Sequence, residues 1–284
     1  MLNADPPTRS GPERRCDRRH CPILCILEQV IVFDGQSDKP PDKPHPRHET
    51  ITRKHTEVYM NHPLDQPIWN ALTTRQAALA QEVERVRRYG SVFAPFAASA
   101  DGTAESFTGL AALVPEGEQI ILQQGHEIAP PPGLVLVRAS STVQMVATQI
   151  EGPNADFAFH ELTVADAPEM LALARLTQPG PFAERTHELG RFVGVRDDGR
   201  LVAMAGERMK PGSYTEVSGV CTHPGSRGKG FAAGLMREIA RTILARDETP
   251  FLHAFADNIG AIDLYRKLGF VVRWNPVLMV FQKS

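Results

Sequence analysis

Residues 221–235 read CTHPGSRGKGFAAGL. An apolar stretch rich in Val and Thr ends at a Pro, a turn carrying Gly225, Gly228, Gly230, Arg227 and Lys229 follows, and an amphipathic helical pattern then begins. No Ser, Thr, Asp or Asn is placed to cap that helix. A helix N-terminus exposes orphan N–H groups and roughly half a positive charge. Glycines beside it let the backbone come close to an anion, so the turn suits a phosphate-bearing ligand. It is not a P-loop, because His223 stands where the first Gly belongs and Gly230 replaces the hydroxyl residue after Gly-Lys. A GxGxxG dinucleotide turn is absent as well.

The elements that must position this turn are legible around it. The stretch 214–223 alternates as a strand, 228–246 has apolar residues on one side of a helix, and 250–256 is nearly continuous apolar sequence, as in a central strand covered on both faces. Together they make a βαβ unit. Upstream, 157–162 reads as a strand, and a helix begins near Asp166 and Glu169. Two strands between 191 and 209 are joined at Asp198-Gly199, a hairpin signal. Downstream, a short helix over 258–268 closes on Gly269, and two strands end the chain. A Gly-Pro-Asn turn at 152–154 opens this region, which we read as a catalytic domain over 152–284.

Residues 60–151 read as a smaller α/β domain: a helix over 65–89, an Ala/Leu segment near 107–114, and strands at 119–124 and 134–139. His62 and His126 read there as solvated loop residues. Residues 1–59 are rich in Pro and mixed charge and read as a disordered extension, with Met60 as an alternative start. Within them, Cys16, His20, Cys21 and Cys25 lack the second knuckle of a structural zinc site, and no metal is expected. The apolar run 21–33 is broken by Glu28 and Gln29, which argues against an export signal. A net charge of −2 over 284 residues calls for neither nucleic acid nor an anionic membrane, and four Cys fit a reduced, cytoplasmic protein.

RGKGFA, 227–232, resembles the [Q/R]-x-x-G-x-[G/A] signature of the Gcn5-related N-acetyltransferase (GNAT) superfamily, through Arg227, Gly230 and Ala232. DNIGAIDLYRKLGF, 257–270, resembles its second coenzyme A motif, through Asn258, Ala261, Tyr265, Gly269 and Phe270. The element order from 155 onward matches that fold, and EVSGVCTHPGSRGKG is most similar to the glycine N-acyltransferase-like branch. The resemblance implies an α/β (α+β) fold, with a central mixed sheet splayed between two strands, flanking helices, and a smaller N-terminal domain that is a candidate degenerate copy. It implies acetyl-CoA as cosubstrate, a small amine or amino-acid-like acceptor, and a monomer or homodimer. The amides of Gly228, Lys229, Gly230, Phe231 and Ala232 would take the pyrophosphate. Val220, Cys221 and Thr222 would line the pantetheine by their backbone, and Asn258, Ala261 and Tyr265 would face the same cleft.

Direct attack by the amine needs no Cys nucleophile. Two proton transfers remain. Tyr265 shares a helix face with Asn258 and Ile262 and is the expected proton donor to the leaving thiolate. Glu216, alternating with Ser218, Val220 and Thr222, is the expected base for the amine, its pKa raised by shielding from water; Glu207 and His187 compete for that role. Two other readings stay open: a non-catalytic acyl-CoA-binding module, and an N-acyltransferase using a longer acyl chain.

Overall fold

The computed structural model describes residues 62–103 and 105–283. The readings for residues 1–59, including the Cys/His cluster, and Met60 lie outside the described residues. In chain order the elements are α1 (Pro67–Thr73), β1 (Ala80–Val83), β2 (Val86–Tyr89), β3 (Ala97–Ser99), α2 (Leu110–Leu113), β4 (Gln119–Gln124) and β5 (Leu134–Val146). They continue with β6 (His160–Leu162), α3 (Ala167–Thr177), β7 (Phe192–Asp197), β8 (Arg200–Glu207), β9 (Tyr214–Thr222) and α4 (Phe231–Leu244). The chain ends with β10 (Thr249–Phe255), α5 (Ile259–Lys267), β11 (Val271–Trp274) and β12 (Val277–Lys283).

The large sheet has nine strands in the order β4-β12-β5-β10-β9-β8-β7-β6, with β11 pairing to β5. It is mixed: β9 and β10 run parallel, while β10 is antiparallel to β5 and β9 to β8. The parallel contact covers only Tyr214–Glu216 against Thr249–Phe251, and beyond it the two strands part. That divergence opens a cleft in the middle of the sheet. The α/β architecture with a splayed mixed sheet and flanking helices is therefore present.

Helix α4 lies across β7 to β10 and buries Leu235, Met236, Ile239, Ala240 and Ile243 against Val193, Val202, Ala203 and Leu252. Full burial of each large apolar side chain contributes about 1.5–3 kcal/mol, so this stripe anchors the helix whose N-terminus faces the cleft. The type of turn expected at Asp198-Gly199 is also found, both residues having positive φ, 49° and 77°.

Two sequence expectations need correction. The 65–89 stretch is α-helical only over α1, with a 3-10 turn at Ala77–Leu79; its charged second half is the hairpin β1–β2, turning at Glu84, whose φ is 51°. The charges suggested a solvated helix face, but Arg88 is buried. Its guanidinium donates to the carbonyls of Tyr89 and Leu113 at 2.9 and 2.7 Å and meets Glu118 at 3.3 Å. His62 is not solvated either: its Nδ1 accepts from Leu64 N at 3.1 Å and its Nε2 meets the Tyr214 hydroxyl at 3.0 Å.

The expected break at 151/152 also does not interrupt the large sheet. Strands β4 and β5 precede it, yet β4 pairs with β12 and β5 pairs with β10, β11 and β12. A second core joins Leu64, Ile68, Tyr89 and Phe96 to Phe251 and Val280. Residues 62–98 thus cover one face of the sheet beside the cleft. Pairing partners that distant in sequence leave no local pattern, whereas a Gly-Pro-Asn turn does.

Candidate active site

The bulge that shapes the cleft lies in β9. Met204 pairs with Cys221 and Gly206 with Ser218, so β9 spends one residue more than β8 over this interval. Gly219 takes the strain, with φ at 63°, and a Cβ there would lie 2.9 Å from Phe192 Cε1. The bulge removes strict alternation, so that Val217 through Thr222 all line one cavity of about 750 Å³. This is within the ordinary range for small-molecule sites.

At one end the cavity reaches the glycine turn. Gly230 is the N-cap of α4 with φ 77°, and no side chain caps the helix. Gly228 has φ 79°, and a Cβ on either glycine would meet nothing within 4 Å. The space in front of the first helical N–H groups is therefore open. Arg227, Gly228, Gly230, Phe231 and Ala232 line the cavity here, and Asn258, Ala261 and Tyr265, from the start and face of α5, line the same cavity. Lys229 does not; its Nζ pairs with Asp197 at 3.3 Å. Asn258 caps α5, its Oδ1 accepting from Ala261 N at 3.2 Å. The Thr222 hydroxyl is buried without a hydrogen-bond partner among the described residues. An orphan polar atom on the wall of the cleft, beside an uncapped helix, fits a long ligand with phosphate at one end and amides along its length.

Burial pushes the Tyr265 phenol up to about 12, so it stays protonated at neutral pH. Its ring packs on Phe270 while the residue lines the cavity. Burial likewise pushes the Cys221 thiol up to about 12, against a weaker opposing hydrogen bond from Thr177. That thiol faces the cluster of Leu162, Met170 and Leu173 under α3 and has no nucleophilic character.

Glu216 is where the structure departs from expectation. It pairs with Phe251 in the last register before β9 and β10 diverge, is fully buried and does not line the cavity. Its carboxylate accepts from Arg208 Nε and Nη2 at 2.8 and 2.9 Å, and from His253 Nδ1 at 2.8 Å. Burial alone would raise its pKa, but the Arg208 charge and these hydrogen bonds outweigh that and hold it at about 2. The expected base with a raised pKa is instead a permanently ionised structural anion, because strand alternation cannot reveal a partner eight residues away across a turn.

The competitors fare no better. Glu207 is buried between Arg246 and Lys210 at 2.8 and 3.0 Å, and His187 has both ring nitrogens buried without a hydrogen-bond partner among the described residues, Nε2 lying 3.9 Å from Glu188; neither lines the cavity. His253 does line it. Its Nε2 lies 3.2 Å from Gln144 Nε2, and that amide is oriented by donating to Leu64 O at 2.9 Å while its oxygen accepts from Arg273 at 3.0 Å. His253 thus carries its proton on Nδ1, and its Nε2 lone pair is occupied. Sequence reasoning missed Arg208, His253 and Gln144. A His inside the apolar run 250–256 was the available signal, since a buried polar group needs a partner.

Substitution of Gly230 by Glu tests the turn. A side chain at φ 77° costs about 1 kcal/mol of stability. It also places an anion where a phosphate must approach. Coenzyme A affinity measured by calorimetry is expected to fall by at least about tenfold; unchanged affinity would locate the ligand elsewhere.

Comparison with known proteins supports the fold. A family model described as FR47-like protein matches residues 192–279. A crystal structure from Novosphingobium aromaticivorans, described as an acetyltransferase from the GNAT family, is 44% identical, with a TM-score of 0.72 over 79% of this chain and 100% of that one. A GCN5-related N-acetyltransferase-like protein from Streptococcus suis is 15% identical, with a TM-score of 0.51 over 78% of this chain and 94% of that one, and shares the fold. No curated protein matches.

Proposed function

The chain belongs to the GNAT family of acetyltransferases, and from that premise we propose that it is an acetyl-CoA-dependent N-acetyltransferase acting on a small amine. The observation that carries this reading is one continuous cavity. It runs from the uncapped N-terminus of α4, along the diverging edges of β9 and β10, to the protonated phenol of Tyr265. A pure binder of the cofactor needs the first part and has no use for the last.

When bound, acetyl-CoA supplies an activated acyl group on a thioester. The backbone N–H groups of Gly228 to Ala232 face its phosphates, reinforced by the α4 dipole and Arg227. Beyond the bulge, backbone groups of Val220 and Thr222 pair with the pantetheine arm, and a strand N–H polarises the acyl carbonyl. The Thr222 hydroxyl gains the partner it otherwise lacks. Tyr265 gives its proton to the departing sulfur.

The test is release of free thiol from acetyl-CoA across a panel of amines, with product confirmed by mass. Acetyl-CoA binding with no amine-dependent thiol release would favour the binding module instead. Faster release from butyryl- or benzoyl-CoA than from acetyl-CoA would favour a longer-chain acyltransferase.

A further inference from the structure

The end of the cavity away from the glycine turn is walled by Phe96, Met209, Leu278 and Pro181, with Arg208 among them. The inner edge of the Arg208 guanidinium is forked onto Glu216, behind the wall. Among the described residues its outer Nη1 has only the Pro181 carbonyl, at 3.5 Å, and the group lies over the Phe96 ring at 4.7 Å. Both of those neighbours line the cavity, so the acceptor end shows an apolar wall with a cationic edge.

The ionisable groups on the wall are Arg208 after β8, Cys221 on β9, Arg227 in the turn, His253 on β10 and Tyr265 on α5; β4, β5, α3, α4 and β12 line it with Gln123, Thr142, Thr177, Met236 and Leu278 and bring none. No carboxylate lines it among the described residues. Cys221 and Tyr265 carry their protons at neutral pH. His253 has its Nε2 lone pair engaged by Gln144 and its Nδ1 proton given to Glu216. No carboxylate here draws in an ammonium ion, and no ionisable side chain on the wall is free to deprotonate one.

We propose that the acceptor is a weakly basic amine on an apolar body, an arylamine being the simplest member, taken up in its uncharged form. The proposal rests on the acetyltransfer reading, and it closes the proton count with Tyr265 alone. The neutral nitrogen forms the N–C bond as the C–S bond breaks. The phenol protonates the sulfur, and the resulting phenolate takes the surplus proton from the acylated nitrogen. Amide and free thiol leave, and Tyr265 is restored.

The test uses two isomeric probes, 4-methylaniline and benzylamine, which differ little in size but greatly in basicity. Each is titrated calorimetrically into the coenzyme A-loaded full chain, in buffers of different ionisation enthalpy, so that protons released on binding are counted. The expected result is that 4-methylaniline binds without proton release between about pH 6.5 and about pH 9. Benzylamine is expected to bind at least about tenfold more weakly near pH 7, to release about one proton, and to gain about tenfold in affinity per pH unit. Benzylamine binding near pH 7 without proton release, or failure of both probes to bind, overturns the proposal. Loss of the acetyltransfer reading itself shows separately, as no amine-dependent release of free thiol from acetyl-CoA across the amine panel.

Discussion

The Tyr265→Phe variant is expected to lose roughly 10² or more in turnover number while its acetyl-CoA dissociation constant and melting temperature barely change. The ring still packs on Phe270, so only the hydroxyl is removed. Tyr265 lines the cavity, and its hydroxyl has no hydrogen-bond partner among the described residues whose loss would unsettle the fold. Because burial pushes the phenol up to about 12, it donates across the whole neutral range. The sign of the pH effect follows: the wild-type rate falls only as the phenol ionises near pH 12, and the variant shows no such fall. Single-turnover kinetics with an active acceptor decide it. A change confined to stability, with turnover within about twofold, would make Tyr265 a core residue and leave water as the proton source.

Glu216→Gln is expected to produce the largest loss of stability. Removing one partner of a buried ion pair leaves the other charge uncompensated and costs about 3–5 kcal/mol. For a chain of this size that lowers the melting temperature by on the order of 10 °C. The pH dependence gives an independent readout. The folded pKa of Glu216 is depressed, so its contribution is fully present above about 4.5 and is lost as pH falls toward about 2. Wild-type stability should therefore drop over that window, and the variant should lose this part of the drop. If Glu216 were instead the base for the amine, the Gln variant would melt like wild type and fail in turnover. Thermal melts between about pH 2 and about pH 7, with kcat measured well below the variant's melting temperature, separate the two.

Much of the cofactor side was legible along the chain, because a helix N-terminus and the turn before it are local. The spacing of Arg227, Gly230 and Ala232, the absence of a capping side chain, and the face shared by Asn258 and Tyr265 depend on residues within a few positions of each other. The structure brings all of these residues to the wall of one cavity, while Lys229 of the turn points elsewhere, toward Asp197. The strands 214–222 and 249–255, the 192–207 hairpin and α4 were legible for the same reason, since they announce themselves by period and by the Asp198-Gly199 turn, whereas the mixed sheet was implied by the resemblance.

What the chain could not announce was which groups meet across long separations. Charge along 80–89 resembled a solvated helix until Arg88 found two carbonyls and Glu118 in the interior. Glu216 resembled a shielded base until Arg208 and His253 closed on it, and His253 is itself oriented through Gln144 by the carbonyl of Leu64. The physical reason is common to these cases. Backbone geometry and capping are decided by neighbours in sequence, so residue type and spacing determined the phosphate turn and the strands that flank it. The protonation state of a buried group is decided by whichever charges and donors the fold packs against it, and only the tertiary structure could make Glu216 an anion, orient His253 and bring Tyr265 to the cavity wall.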